Sequence, residues 1–354
     1  MTHQRKPRNR RRPSTYQDHS DSEPLVSRSP ELPAYTRKGV ARSEVPLVFS
    51  LDEAEAAGFT RARALAGDNL LSPLYGVRMS TGLRGTVEHP GWAESDWFAS
   101  RSRLAAVQAR RPDAVGSHAT AAELLGIPLP ARFRGERMPI HVVSARTSAV
   151  QIGGVVGHRG ALTEPPVQVG GVAVTGYCQT LMQLAALLTE RDLIAAVESV
   201  IGPWRGSPVS LDQLDQHLKA CPGRRGARKF RSTLQRARPG VGSPKETELR
   251  LDLVEWGFPE PSVGAQVWIE DLQRYLVPDL LYEDIRTAIE YEGTHHGTHR
   301  PQMDMDIERA VAFRSAGWFV ERVTKTSALA GLISVLVERF AAHRAETLRF
   351  PRPY

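Results

Sequence analysis

Carboxylates recur at set positions in a stretch of the chain that is otherwise apolar. The stretch runs Val277-Pro278-Asp279-Leu280, through an acidic turn at Glu283-Asp284, to Ile289-Glu290-Tyr291-Glu292-Gly293 and then His295-His296. Burying an ionised carboxylate costs several kcal/mol unless it is paired or bound to a metal. Asp279, Glu290 and Glu292 therefore stand where a fold would place them to hold a divalent cation. An all-oxygen donor set suits Mg²⁺ or Mn²⁺ rather than a soft metal. The competing account is a solvent-facing strand whose acids simply stay wet.

The elements that must position these acids are legible. Gln273 to Leu281 alternates loosely as a strand, and Arg286 to Glu292 alternates again. With Glu283-Asp284 as a two-residue hairpin turn, Asp279 falls opposite Ala288, and Glu290 takes the diagonal position on the same face. Diagonal neighbours lie roughly 7–8 Å apart, a gap two carboxylate arms can bridge through one cation. Glu292, two residues further on, shares that face. Upstream, Ser243-Pro244-Lys245-Glu246-Thr247 opens a helix with Leu249, Leu253 and Val254 inward. Glu246 in its first turn either reaches towards the metal or merely complements the helix macrodipole. Downstream, Asp304, Asp306 and Glu308 start a helix with Ala310, Val311 and Phe313 inward. Trp318, Val320 and Val323 read as the core of a final strand, whose Arg322 is a phosphate contact or a solvated end. Leu329, Leu332, Ile333, Leu336, Val337 and Phe340 then form the packing stripe of a closing helix.

In these residues the chain resembles the PD-(D/E)XK restriction-endonuclease-like superfamily. Its local flavour is that of actinobacterial proteins related to very-short-patch mismatch-repair endonucleases. The resemblance rests on Ser243-Pro244-Lys245-Glu246-Thr247, Pro278-Asp279, Ile289-Glu290-Tyr291-Glu292-Gly293, His295-His296, and Ala316-Gly317-Trp318 through Arg322-Val323-Thr324. It covers about the last 110 residues and implies a metal-dependent nuclease with Asp279 and Glu290 as ligands, and Glu246, Asp279, Glu290, Glu292, His295 and His296 as catalytic candidates. One position departs from the pattern: Glu292 replaces the superfamily's usual Lys. Water activation would then fall to the metal, with His295 or His296 as general base. Zinc on His295, His296 and His299 is disfavoured, since no cysteine lies nearby and the surrounding acids prefer a hard ion.

The 354-residue chain is long enough for two or three cores and carries a formal charge of +7. From Ser243 onward the net charge is about −5, so the rest is strongly basic, as a phosphate-binding surface would be. Two cysteines without framework spacing, Cys178 and Cys221, point to a reducing cytoplasm, and no apolar run approaches a membrane span. Residues 1–45 read as a disordered basic arm. In 46–82, Ser50-Leu51-Asp52-Glu53 is a capping box that starts a short helix stopped at Gly58. Thr60 caps a second helix bearing Arg61 and Arg63, with Ala62 and Leu65 inward, and a strand pair ends at Tyr75-Gly76-Val77-Arg78. This order resembles a winged helix-turn-helix of the AbiEi-type antitoxins, in which Arg61 and Arg63 would face the DNA groove.

Residues 83–240 read as a middle α/β domain, also AbiEi-like, with Val150 to His158 and Val167 to Thr175 as strands. Its His118, His141 and His158-Arg159 stand singly, without a paired Ser, Cys or acid, and read as structural or rim residues. The stretch from Arg224 to Arg238, with Arg224, Arg225, Arg228, Lys229, Arg231, Arg236 and Arg238 and no acid, is either a solvated basic helix or a DNA-backbone clamp. The expected fold is thus α/β multidomain: a winged helix-turn-helix, a middle α/β domain, and an α/β/α restriction-endonuclease-like domain at 241–354. Two function classes follow, a Mg²⁺- or Mn²⁺-dependent DNA endonuclease, or a DNA-binding regulator or antitoxin-like protein on an inactive nuclease fold. The expected partners are double-stranded DNA and a toxin or a second copy of the chain.

Overall fold

The computed structural model describes residues 39–135, 138–144, 150–203, 206–292, 300–324 and 329–349. The chain is mixed α/β. It begins with β1 (Val40–Ser50), α1 (Leu51–Ala56), α2 (Arg61–Ala66), β2 (Leu70–Leu74) and β3 (Val77–Pro90), the strands forming an antiparallel sheet in the order β1-β3-β2. Ser50 both ends β1 and caps α1. Its hydroxyl accepts from Glu53 N at 3.1 Å, and the Glu53 carboxylate accepts from Ser50 N at 2.6 Å, the reciprocal pair of a capping box. Thr60 Oγ1 likewise accepts from Arg63 N at 3.3 Å.

Two expectations change here. Strand β1 starts at Val40 and pairs with β3 out to Pro90, so regular structure begins before Pro46 and the sheet runs past residue 82. In α2 the inward residue is Ala64, which packs with Leu51, Ala54 and Phe49, while Ala62 and Leu65 are exposed. The basic arm lies almost wholly outside the described residues.

The middle of the chain contains α3 (Ser95–Arg110), β4 (Val115–Gly116), α4 (His118–Leu125), β5 (Ile140–Ser144), β6 (Val155–Arg159), β7 (Val167–Val169), β8 (Val172–Val174), α5 (Tyr177–Leu184), α6 (Glu190–Ile201), α7 (Leu211–Ala220) and α8 (Ala227–Arg236). The five strands form one sheet in the order β6-β5-β4-β8-β7. Val167 to Thr175 is a hairpin, not one strand. Gly170 and Gly171 both take positive φ, which a two-residue hairpin turn of this hand requires. Trp97, Leu104, Val142, Val174, Leu181 and Phe230 lie in the large core.

The last part holds α9 (Pro244–Glu255), β9 (Val267–Ile269), β10 (Arg274–Leu276), β11 (Leu280–Tyr282), β12 (Thr287–Glu292), α10 (Arg300–Ser315), β13 (Phe319–Thr324) and α11 (Leu329–Arg349). Its three-stranded sheet runs β11-β12-β13, antiparallel then parallel. Alternation sends Leu280, Tyr282, Ile289 and Val323 to a core with Leu249 and Leu253 of α9 and Leu332 and Leu336 of α11. The opposite face, Leu281, Ala288 and Val320, packs on Ala310 and Phe313 of α10 and on the β9–β10 hairpin. The sheet is therefore flanked by helices on both faces. Outward positions of the helix stripes are Val254, Val311 and Val337, all exposed.

Helix α9 also belongs to the middle of the chain, against α6. Arg250 of α9 and Glu198 of α6 form an ion pair at 2.5 Å with both side chains 1% exposed, and Arg191 of α6 pairs with Asp252. Among the described residues no helix is long and apolar enough to cross a membrane, and Cys178 and Cys221 are free.

Candidate acidic site at the end of the C-terminal sheet

The predicted strand from Gln273 to Leu281 is broken. Its first part, β10, pairs with β9, and after Val277-Pro278 the chain changes partner and enters β11. Proline has no N–H to give to a ladder, which suits a point of exchange. The hairpin that follows has a four-residue loop, Glu283 to Arg286, rather than a two-residue turn. Arg286 N donates to Glu283 O at 2.9 Å, and Arg286 takes φ 44° to close it. Leu280 pairs with Ile289, so continuing the register puts Asp279 directly opposite Glu290 instead of diagonal to it. Asp279 Oδ2 accepts from Tyr291 N at 2.6 Å, tying the carboxylate to β12 at that level.

Glu246 arrives from the other side. Ser243 caps α9 by accepting from Glu246 N at 3.3 Å, which sets Glu246 in the first turn. Its carboxylate folds back and accepts from Gly242 N at 2.7 Å. A Cβ at residue 242 would lie 3.2 Å from both Glu246 oxygens, so glycine is what lets the carboxylate approach the backbone there. Glu246 is 9% exposed. Burial, then the like charge of Asp279, pushes its pKa up to about 7 despite the Gly242 and Ser243 hydrogen bonds, and Glu290 adds to the rise. Burial also pushes Glu290 up to about 7, against the pull of Arg309 and with Asp279 as a like charge.

Three elements thus bring Glu246, Asp279 and Glu290 within electrostatic reach of one another. Their ligand atoms are not drawn into a 4.8 Å cluster, as those of two other groups among the described residues are. A side chain that the sequence did not flag reaches Glu290. Arg309 of α10 donates to Glu290 Oε1 at 3.0 Å and to Val277 O, with its guanidinium 5.4 Å from the Phe313 ring centroid. Arg322 lies across from Glu290 in the parallel register of β12 and β13 and lowers its pKa. The donor set, three carboxylates of which two are raised chiefly by burial, fits a hard cation. An ion at Glu290 would share that carboxylate with Arg309 or displace it.

Glu292 continues β12 opposite Thr324, with its side chain outside the described residues, as are His295 and His296. Arg61 and Arg63 are exposed on α2, Arg61 paired with Glu55 at 3.4 Å and Arg63 over the Phe59 ring. The basic stretch divides. Arg224 donates to Ala161 O, Lys229 to Leu188 O, Arg236 pairs with Glu190 at 3.7 Å, and Arg238 with Glu260 at 2.8 Å. Those four hold the fold, leaving Arg225, Arg228 and Arg231 as the exposed cations of the predicted clamp. In comparisons with known proteins, no family model, no curated protein and no solved structure matches this chain.

Proposed function

We propose that the protein is a metal-dependent phosphodiester hydrolase acting on DNA, an endonuclease-like enzyme of bacterial defence or repair that works in the cytoplasm. The observation that carries this is the convergence of Glu246, Asp279 and Glu290 from α9, the β10–β11 link and β12, the first buried and the other two half-buried, with Glu246 and Glu290 raised to about 7. A bound cation would offset both the burial and the like charge of Asp279 that raise these acids. Mg²⁺ or Mn²⁺ would be held by Asp279 and Glu290, with Glu246 beside them, and when bound it acidifies water and offsets charge on the phosphate. Arg309, released from Glu290, and Arg322 are then placed to meet the phosphodiester oxygens. Arg225, Arg228 and Arg231 contact the duplex backbone, and α1, α2 and the β2–β3 hairpin serve as a winged helix that presents Arg61 and Arg63 to the groove.

A second reading has its footing in the Arg309–Glu290 ion pair, which already neutralises one acid, and in the acid at position 292. On that reading the protein is a DNA-binding regulator or antitoxin-like protein with an inactive nuclease fold. Incubating supercoiled, linear and single-stranded DNA with the purified chain separates the two. The hydrolase requires Mg²⁺- or Mn²⁺-dependent cutting that Glu290→Ala and Asp279→Ala abolish while DNA retention on a gel persists. Operator binding with no cutting in either metal would establish the regulator.

A further inference from the structure

Three histidines that stand singly in the sequence meet in the middle sheet. His118 opens α4 directly after β4, His141 lies in β5 and His158 in β6. Strands β5 and β6 are parallel, with His141 across from Val156 and Val143 across from His158, so positions 141 and 158 share a face. Ser117 N donates to His141 O at 2.9 Å, which brings the start of α4 over the same spot. His118 takes φ 49°, a left-handed conformation that costs a non-glycine residue roughly 1–2 kcal/mol. Gln183 Oε1 accepts from His118 N at 3.0 Å and holds that conformation in place.

One ring nitrogen from each of the three histidines lies within 4.8 Å of the other two. His141 Nδ1 is 3.0 Å from His158 Nε2. Two nitrogens on a tetrahedral ion with bonds of ~2.0–2.1 Å stand ~3.3 Å apart, so this pair is almost at the edge length of such a site. His118 stacks on His158 with ring centroids 3.7 Å apart. Its Nδ1 sits 3.0 Å from Ser117 Oγ, the outer hydrogen bond that leaves Nε2 free to ligate once the ring turns off the stack. Burial, reinforced by neighbouring histidines, holds His118 down to about 3 and His141 down to about 4, and burial lowers His158 as well. Burial thus favours the neutral imidazole, the form that binds metal.

We propose that His118, His141 and His158 bind one divalent d-block ion, with Zn²⁺ the best match and a fourth position open. Imidazole nitrogens select zinc and its neighbours over Mg²⁺, and three protein ligands with one open position is the donor count of catalytic zinc. The site is separate from the acids of the C-terminal sheet and does not rest on the hydrolase reading. The other compact group, Glu164, Cys178 and His217, is a poorer ligand set, because burial pushes the Cys178 thiol up to about 12 and withholds the thiolate.

The test is titration of the full, chelator-stripped chain with Co²⁺, read by its visible d–d bands, and then displacement by Zn²⁺. Wild type is expected to take up one equivalent. His158→Gln and His118→Gln, both at half-buried positions and with folding checked by circular dichroism, are expected to lose affinity by more than ~100-fold. Cys178→Ser and the pair His295→Ala/His296→Ala are expected to bind as wild type. No uptake by wild type, unchanged binding in either folded histidine-to-glutamine variant, or loss in Cys178→Ser overturns the proposal.

Discussion

Replacing Arg250 by Met is expected to cost about 3–5 kcal/mol, the range for removing one partner of a buried ion pair. Glu198 would lose its guanidinium at 2.5 Å, keeping only Thr247 Oγ1 at 2.6 Å and Arg238 N at 2.8 Å. Arg250 also donates to Glu260 at 2.5 Å and to Arg236 O at 3.1 Å, so the variant removes three hydrogen bonds and leaves Glu260 with the Arg238 guanidinium and Glu198 with no ion-pair partner among the described residues. Burial already raises Glu198 above its ordinary value, with Arg250 as the main force holding it down. In Arg250→Met it rises further, so the folded chain keeps a proton that the unfolded chain has lost. The penalty relative to wild type must then grow with pH once Glu198 ionises in the wild-type fold, by at most about 1.4 kcal/mol per pH unit. Glu198→Gln/Arg250→Met removes both charges and should recover most of the loss, since neutral replacement of a buried pair is often close to neutral in stability. Urea unfolding followed by circular dichroism at pH 6 and pH 8 reads all three variants. A single variant within ~1 kcal/mol of wild type, or a double variant no better than the single, would refute the argument that these charges are coupled and dry.

The acidic site predicts a second pH dependence. Glu246 and Glu290 are raised from 4.5 to about 7, so without divalent cations their contribution to stability is fully present below the ordinary Glu range and is lost as pH climbs to about 7. Glu246→Gln should flatten this fall and stabilise the metal-free chain at pH 8 by up to about 3 kcal/mol; lower stability than wild type there would show the carboxylate is not repelled. The basic helix predicts a salt effect. Arg225→Gln/Arg228→Gln/Arg231→Gln should weaken duplex binding alike for all sequences and reduce the slope of log K against log salt by about 3, as measured by fluorescence anisotropy; an unchanged slope removes the clamp.

Local signals in the sequence were sound and non-local ones were not. Ser50, Thr60 and Ser243 cap their helices as expected, because a cap needs only residues within one turn of it. The hairpin loop is longer than expected by two residues, yet Asp279 and Glu290 still share a face, since a two-residue shift preserves strand parity. The Gly170-Gly171 turn was readable from composition and was passed over. Arg309 had no such signal: its partner is set by how α10 packs on the sheet. The acids that occupy Arg236 and Arg238 come from α6 and from the loop after α9, so the basic run looked freer in sequence than it is. The histidine cluster joins residues from β5, β6 and the start of α4, none of which shows its partners locally.

Helix α9 joins the acidic site, the core and the ion network of α6. It carries Glu246 at one end of the acidic site, Leu249 and Leu253 in the core beneath the sheet, and Arg250 in the ion network of α6. Arg250 is one turn beyond Glu246, so the axial position and rotation that bring its guanidinium to Glu198 also determine where the Glu246 carboxylate sits. Thr247 ties the same turn to Glu198 at 2.6 Å. The third acid of the C-terminal site therefore stands on the same helix as the guanidinium that joins Glu198 of α6, one turn apart from it, so the acidic site and the ion network share one rigid element.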